Sequence, residues 1–212
     1  MQYLTIKEKV ETQIVQKKSK FIASLIPVEG RQNLEEELQN IRRTYHDARH
    51  NCFAYRILEE EKVVERASDD GEPSGTAGAP MLELLRGNNL VNILVVVTRY
   101  FGGILLGTGG LVKAYSDVTT EAISMAKTMQ LEKVAEFKID IDYTQLEKLK
   151  YYLNQIGGII KNIDYSETIT ANIYVPSNLI EFFTKKYSDI PFQMLKCIFI
   201  EEKFAYISTN KT

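Results

Sequence analysis

The sequence predicts an α+β protein of two domains, residues 1–133 and 134–212. Three observations carry that expectation. Residues 134–212 read as strand, helix, strand, strand, helix, strand, the order of a ferredoxin-like βαββαβ unit with two helices on one sheet face. Residues 1–133 mix strand and helix periods in a different order. Between them, near Leu131–Ala135, an irregular stretch with many glycines and arginines gives way to regular alternation.

In the first domain, Thr12–Gln16 and Ser19–Val28 read as a strand pair turning at Lys17-Lys18. Leu34, Leu38, Ile41 and Tyr45 recur at helical spacing. Cys52–Leu58 and Lys62–Ala67 read as a hairpin around a Glu-rich turn. Val91–Val97 is nearly all apolar and β-branched, so it is expected as a central strand covered on both faces. Leu111, Tyr115, Val118, Ala122 and Met125 mark a long helix. In the second domain Phe137, Ile139 and Ile141 alternate with polar residues, the period of a half-buried strand. Thr144 and Glu147 have the spacing of a capping box, and Leu146, Leu149, Leu153 and Ile156 share a helical face. Gly157-Gly158 ends that helix, and Ile159–Tyr165 follows as a strand. Ile169, Ala171, Ile173 and Val175 alternate in the next. Ser177 is placed to cap a helix bearing Leu179, Phe183 and Tyr187, and Met194–Ile200 closes the unit.

Composition narrows the functions. A net charge of −2 excludes a strongly basic protein that holds nucleic acid by bulk charge. The charge is also evenly spread, with 17 Lys+Arg against 18 Asp+Glu in residues 1–133 and 9 against 10 in residues 134–212. The two cysteines, Cys52 and Cys197, cannot build a disulfide framework or a four-cysteine zinc site, and free thiols point to a cytoplasmic compartment. No stretch reaches the ~18 consecutive apolar residues of a membrane span, and the charged N-terminus lacks the apolar core of a signal peptide. Neither a membrane nor DNA is expected as a partner.

Three segments stand out: HNCFAYR (50–56), SDDGEPSGTAGAP (68–80) and TRYFGGILLGTGGLVKAY (98–115). In the first, alternation puts His50, Cys52, Ala54 and Arg56 on one strand face and sends Phe53, Tyr55 and Ile57 to the other, the expected core. His50 and Arg56 then stand about 20 Å apart, too far for one compact catalytic cluster. His46, His50 and Cys52 do not have a standard zinc spacing, so no metal is expected, and Cys52 reads as a small buried hydrophobe. The second segment is a glycine- and proline-punctuated loop. It is either a turn-rich surface loop or one that wraps a site with His50, Asp69, Asp70, Glu72, Ser74 and Thr76. Asp70 or Glu72 is placed to bind Arg56 or Arg99. Ser74 with His50 as base would make a hydrolase, although the glycines miss the G-x-S-x-G elbow by one residue. In the third, Gly102, Gly103, Gly107, Gly109 and Gly110 lead into a helix. They would either expose backbone N–H groups to an anion, with Arg99 and Lys113 adding charge, or permit close packing. Neither the P-loop nor the dinucleotide fingerprint is present, and no cofactor is expected. Arg42, Arg43, Arg49 and Arg56, with His46, His50 and nearby aromatics, face only Asp47 as an opposing charge and make a local RNA-facing patch. The commoner reading of such a run is a solvated helix end.

The strings DGEPSGTAG and TRYFGGILLGTGGLVKAY, together and in this order, resemble the YigZ/IMPACT family. The resemblance covers residues 1 to about 130 as the IMPACT-type domain and the second half as the ferredoxin-like domain of the bacterial members. It implies a first domain folded like domain IV of elongation factor G, and a connection with translation. The expectation is a translation-associated regulator that binds RNA, the ribosome or a protein partner in translation control. The alternative is a hydrolase-like enzyme acting on a small phosphorylated or peptidic substrate at the DGEPSGTAG loop. Whether any catalysis occurs is left open at this point.

Overall fold

Backbone with apolar side chains at successive positions has to be buried on both sides, and Ile93–Val97 is such a run. In the computed structural model, which describes residues 3–59, 62–185 and 192–207, it supplies the middle strand of a five-stranded sheet. The first unit, Met1–Met129, contains β1 (Tyr3–Ile6), β2 (Val10–Gln16), β3 (Ser19–Pro27), α1 (Arg31–Thr44), β4 (His50–Glu59), β5 (Lys62–Ser68), α2 (Gly78–Gly87), β6 (Ile93–Tyr100) and α3 (Gly107–Met125). The strand order is β2-β3-β6-β4-β5, with every neighbouring pair antiparallel. Lys17 and Lys18 make the β2–β3 turn with positive φ at both positions (45° and 65°), a backbone that suits the right-handed twist of a hairpin.

The two faces of this sheet carry separate cores. Phe21, Ala23, Leu25, Cys52, Ala54, Ile93, Val95 and Val97 pack with α2 and α3 through Met81, Leu85, Leu111, Tyr115 and Val118. Ile26, Phe53, Ile57, Leu94 and Val96 pack with Leu34 and Ile41 of α1. The Phe53 face of β4 is core as expected, and so is the face that bears the buried Cys52 and Ala54, because helices cover the sheet on both sides. Met125, expected on the apolar stripe of α3, is 56% exposed at its last turn.

α2 is an element the sequence reading did not mark. Pro80 and Gly78 read as loop punctuation, yet both sit in the first helical turn, where a missing N–H costs nothing. Gly78 is needed there for space: a Cβ would lie 2.7 Å from the backbone nitrogen of Ser68.

The second unit, Gln130–Thr212, comprises β7 (Thr128–Ile141, which begins in the first unit), α4 (Leu146–Ile156), β8 (Ile159–Tyr165), β9 (Ile169–Pro176), α5 (Ile180–Lys185) and β10 (Lys196–Ile207). The antiparallel order is β10-β7-β9-β8, with α4 and α5 packed over Phe137, Ile139, Ala171 and Ile173, as in a ferredoxin-like unit. The expected boundary after residue 133 falls inside β7. Gly157 ends α4 in the left-handed conformation (φ 74°). The Thr144–Glu147 capping box does not form. A 3₁₀ turn at Tyr143–Gln145 moves the helix start to Leu146, so Glu147 falls one position early for a box. Ser177 likewise opens a 3₁₀ turn, Ser177–Leu179, and makes no side-chain cap. Tyr187 lies outside the described residues.

Candidate functional site

The loop from Asp69 to Ala77 is tied down by its own acids. The Asp69 carboxylate accepts backbone hydrogen bonds from Gly75 (2.8 Å), Ala77 (3.0 Å) and Gly78 (2.9 Å), and so closes the exposed donors at the start of α2. Burial by itself would raise the Asp69 pKa, but the three backbone donors outweigh it and hold the carboxyl below its ordinary value. The Asp69 carbonyl accepts from Glu72 N–H (2.9 Å) and from the Cys52 thiol (2.8 Å). Asp70, at φ 42°, accepts the Asn51 N–H on its carboxylate (2.7 Å), and its carbonyl lies 2.8 Å from His50 Nδ1. Thr76 Oγ1 donates to the Pro73 carbonyl (2.6 Å). Ser74 is exposed.

Under this loop lies a buried polar network. Glu72 accepts from Arg99 Nη1 (2.7 Å) and from the Tyr115 hydroxyl (2.9 Å) on the same oxygen, and the Glu72 and Arg99 side chains are only 3% and 7% exposed. The Arg99 guanidinium stands over the rings of Phe21 (5.4 Å) and Phe101 (5.7 Å). Cys52 sulfur is 3.3 Å from the Tyr115 hydroxyl. Burial pushes the Cys52 thiol up to about 12, so it is not a thiolate nucleophile at neutral pH. Burial first, and then the Cys52 and Glu72 contacts, raise Tyr115. Of the pairings left open by the sequence, Glu72 with Arg99 is the one that forms.

Several candidates are thereby placed inside the fold. Arg56 binds Glu65 (3.2 Å) and the carbonyls of Leu85 (3.3 Å) and Leu90 (2.9 Å), tying the end of α2 to β4. Neither it nor Arg99 is at the anion-binding surface expected of them. A serine hydrolase needs its nucleophile in hydrogen-bond reach of the base, and among the described residues no hydrogen bond joins Ser74 to His50, whose Nδ1 lies against the Asp70 carbonyl.

The glycine-rich turn divides between the two readings. Gly102 is a packing glycine: its N–H donates to Ser19 Oγ (3.1 Å), and a Cβ would lie 2.0 Å from the Lys18 carbonyl carbon. Gly103 and Gly107 have φ of 83° and 74°. Gly109 borders open space, and Gly110 faces the Leu106 side chain. The first turn of α3 has no acidic residue and no side-chain cap, while Lys113 pairs with Asp117 (2.8 Å). Beside it Phe101, Ile104 and Leu105 are exposed, Leu105 by 82%.

The end of α1 and the turn into β4 carry three unpaired arginines. Arg42, Arg43 and Arg49 are exposed, and among the described residues none of the three has a side-chain ion pair or hydrogen bond. Arg42 and Arg43 also sit in the last turn of α1, where cations complement the helix dipole. Asp47, the acid that opposes them in sequence, accepts the Tyr100 hydroxyl (2.7 Å), a bond that holds its carboxyl below the ordinary value. Arg66 on β5 is a further exposed guanidinium, unpaired among the described residues. The sequence reading missed it because a single arginine in an edge strand has no pattern. Among the described residues no cluster of three His, Cys, Asp or Glu is placed to hold a metal, and no helix is long and apolar enough to cross a membrane.

Comparison with known proteins adds the relationships. Residues 17–123 match the Impact N-terminal domain family, and residues 139–190 match a domain of unknown function, DUF1949. The IMPACT family member YvyE of Bacillus subtilis is 38% identical over 188 residues, 89% of this chain and 86% of that protein. YigZ of Escherichia coli is 37% identical over 88% of this chain and 92% of its own length. A crystal structure of a hypothetical protein, 34% identical, superposes with a TM-score of 0.62 over 95% of this chain and 98% of that one.

Proposed function

Since the chain belongs to the IMPACT family, we propose that it is a binding protein of translation control that contacts RNA through the arginine-bearing surface of its first unit. The observation that carries this reading is a contrast. Asp69, Asp70, Glu72, Arg56 and Arg99 are all engaged in holding the fold together, while Arg42, Arg43 and Arg49 remain exposed and unpaired among the described residues. Unpaired guanidinium groups beside aromatic residues suit phosphate and base recognition. The translation arm rests on what the family resemblance implies. The hydrolase reading lacks a nucleophile–base contact to build on.

The test is binding of the full chain to ribosomes and to structured RNA across a salt series. Steep salt dependence is expected, and the double variant Arg43→Ala/Arg49→Ala should flatten the log–log slope by about one for each phosphate that is no longer neutralised. A folded double variant with unchanged affinity and slope would overturn the reading. Salt-insensitive capture by a ribosomal protein would replace RNA with a protein partner.

A further inference from the structure

We infer that the groove between α1 and the β4–β5 hairpin is a slot for one unpaired RNA base, with the adjoining phosphates on Arg42 and Arg66. The inference rests on the RNA reading above and gives it a specific contact. The groove encloses about 340 Å³, at the lower end of small-molecule sites and enough for a single base.

Its floor is aromatic. Phe53 and Tyr55 alternate on β4 and so share one face of the sheet. Their rings are parallel within 3°, with centroids 6.3 Å apart. Phe53 is buried in the core beneath α1, whereas Tyr55 is half-buried and turns part of its surface to the groove. Register sets the wall: Tyr55 pairs with Arg66 across the hairpin. Arg42 enters from the last turn of α1. Both arginines are exposed and unpaired among the described residues, and Glu35 is the one acid among the lining residues. β5 ends the sheet order, so the groove opens at an edge.

Aromatic surface flanked by free guanidinium groups recognises a stacked base with its phosphates, and every base has a face that stacks. A base inside a duplex is already stacked and cannot enter, so the slot selects single strands, loops and bulges.

The experiment measures binding of the full chain to a labelled single-stranded oligoribonucleotide and to the same sequence closed in a duplex. Tyr55→Ala is expected to weaken single-strand binding about 5- to 100-fold, as removal of one stacking platform does, and to leave duplex binding unchanged. Tyr55→Phe should retain the single-strand affinity, which guards against a folding defect in the alanine variant. Arg66→Ala should weaken single-strand binding and reduce its salt slope. Wild-type single-strand affinity in Tyr55→Ala and Arg66→Ala would overturn the slot. If Arg43→Ala/Arg49→Ala still weakened binding, the RNA surface would stand without it. Equal losses on single strand and duplex in Tyr55→Ala would also overturn the slot. Failure of the wild-type chain to bind either RNA would overturn both readings.

Discussion

Asp69 acts as a helix cap from outside the helix. Three backbone donors converge on its carboxylate, and they favour the charged form. A carboxyl whose pKa is lowered by folding contributes stability that is present above its unfolded value near ~4 and is lost as pH falls through the lower folded value. Asp69→Asn is therefore expected to cost about 1–2 kcal/mol at neutral pH. The gap from wild type should narrow below about pH 4. Denaturant unfolding at a series of pH values checks this, and a pH-independent loss would refute it. The sequence marks Asp69, Asp70 and Glu72 as members of one loop but leaves their partners open. Local spacing brings Asp69 to the N–H groups of residues 75–78. The pairing of Glu72 with Arg99 depends on β6 lying beside β4, where His50 faces Arg99, and on α3 bringing Tyr115 over the sheet. Those contacts join residues far apart in the chain, so no spacing rule reaches them.

Elements with strong periodicity were legible, and those defined by close approach were not. The apolar run Ile93–Val97 of β6, the alternating β9 and the stripe on α1 each follow from side-chain period alone. α2 was hidden because Pro80 and Gly78, ordinary loop markers, occupy its first turn. Thr144 and Ser177 have the spacing of caps but do not cap, because a 3₁₀ turn at each site displaces the helix start, a shift that composition does not register. Gly102 belongs at this scale as well. It lets the loop after β6 lie on the β2–β3 turn, with backbone where a Cβ would be. Gly102→Ala should separate these two segments and speed proteolysis between Tyr100 and Leu106, while Gly109→Ala, which faces open space, should leave the cleavage rate unchanged. Equal rates for the two variants would show that the close approach is not needed.

The whole molecule is two units with separate cores. Calorimetry is expected to resolve two transitions that respond to different substitutions. Glu72→Ala leaves the Arg99 charge buried without its partner, which costs about 3–5 kcal/mol, and should lower the transition of the first unit. Leu153→Ala empties part of the second core at a cost of about 2–5 kcal/mol and should lower the other. A single transition shifted alike by both would contradict this. At this scale the sequence by itself determined the α+β class, the ferredoxin-like element order of the second half and the family. Each of these is written in periodicity, in the order of periods along the chain, or in a contiguous motif. Only the tertiary structure decided which charges are available. Arg42, Arg49, Arg56 and Arg99 look alike in sequence. Sheet register and helix packing bury two of them against carboxylates and leave the other two in water, and burial, with the desolvation it imposes, is a property of contacts made between distant segments.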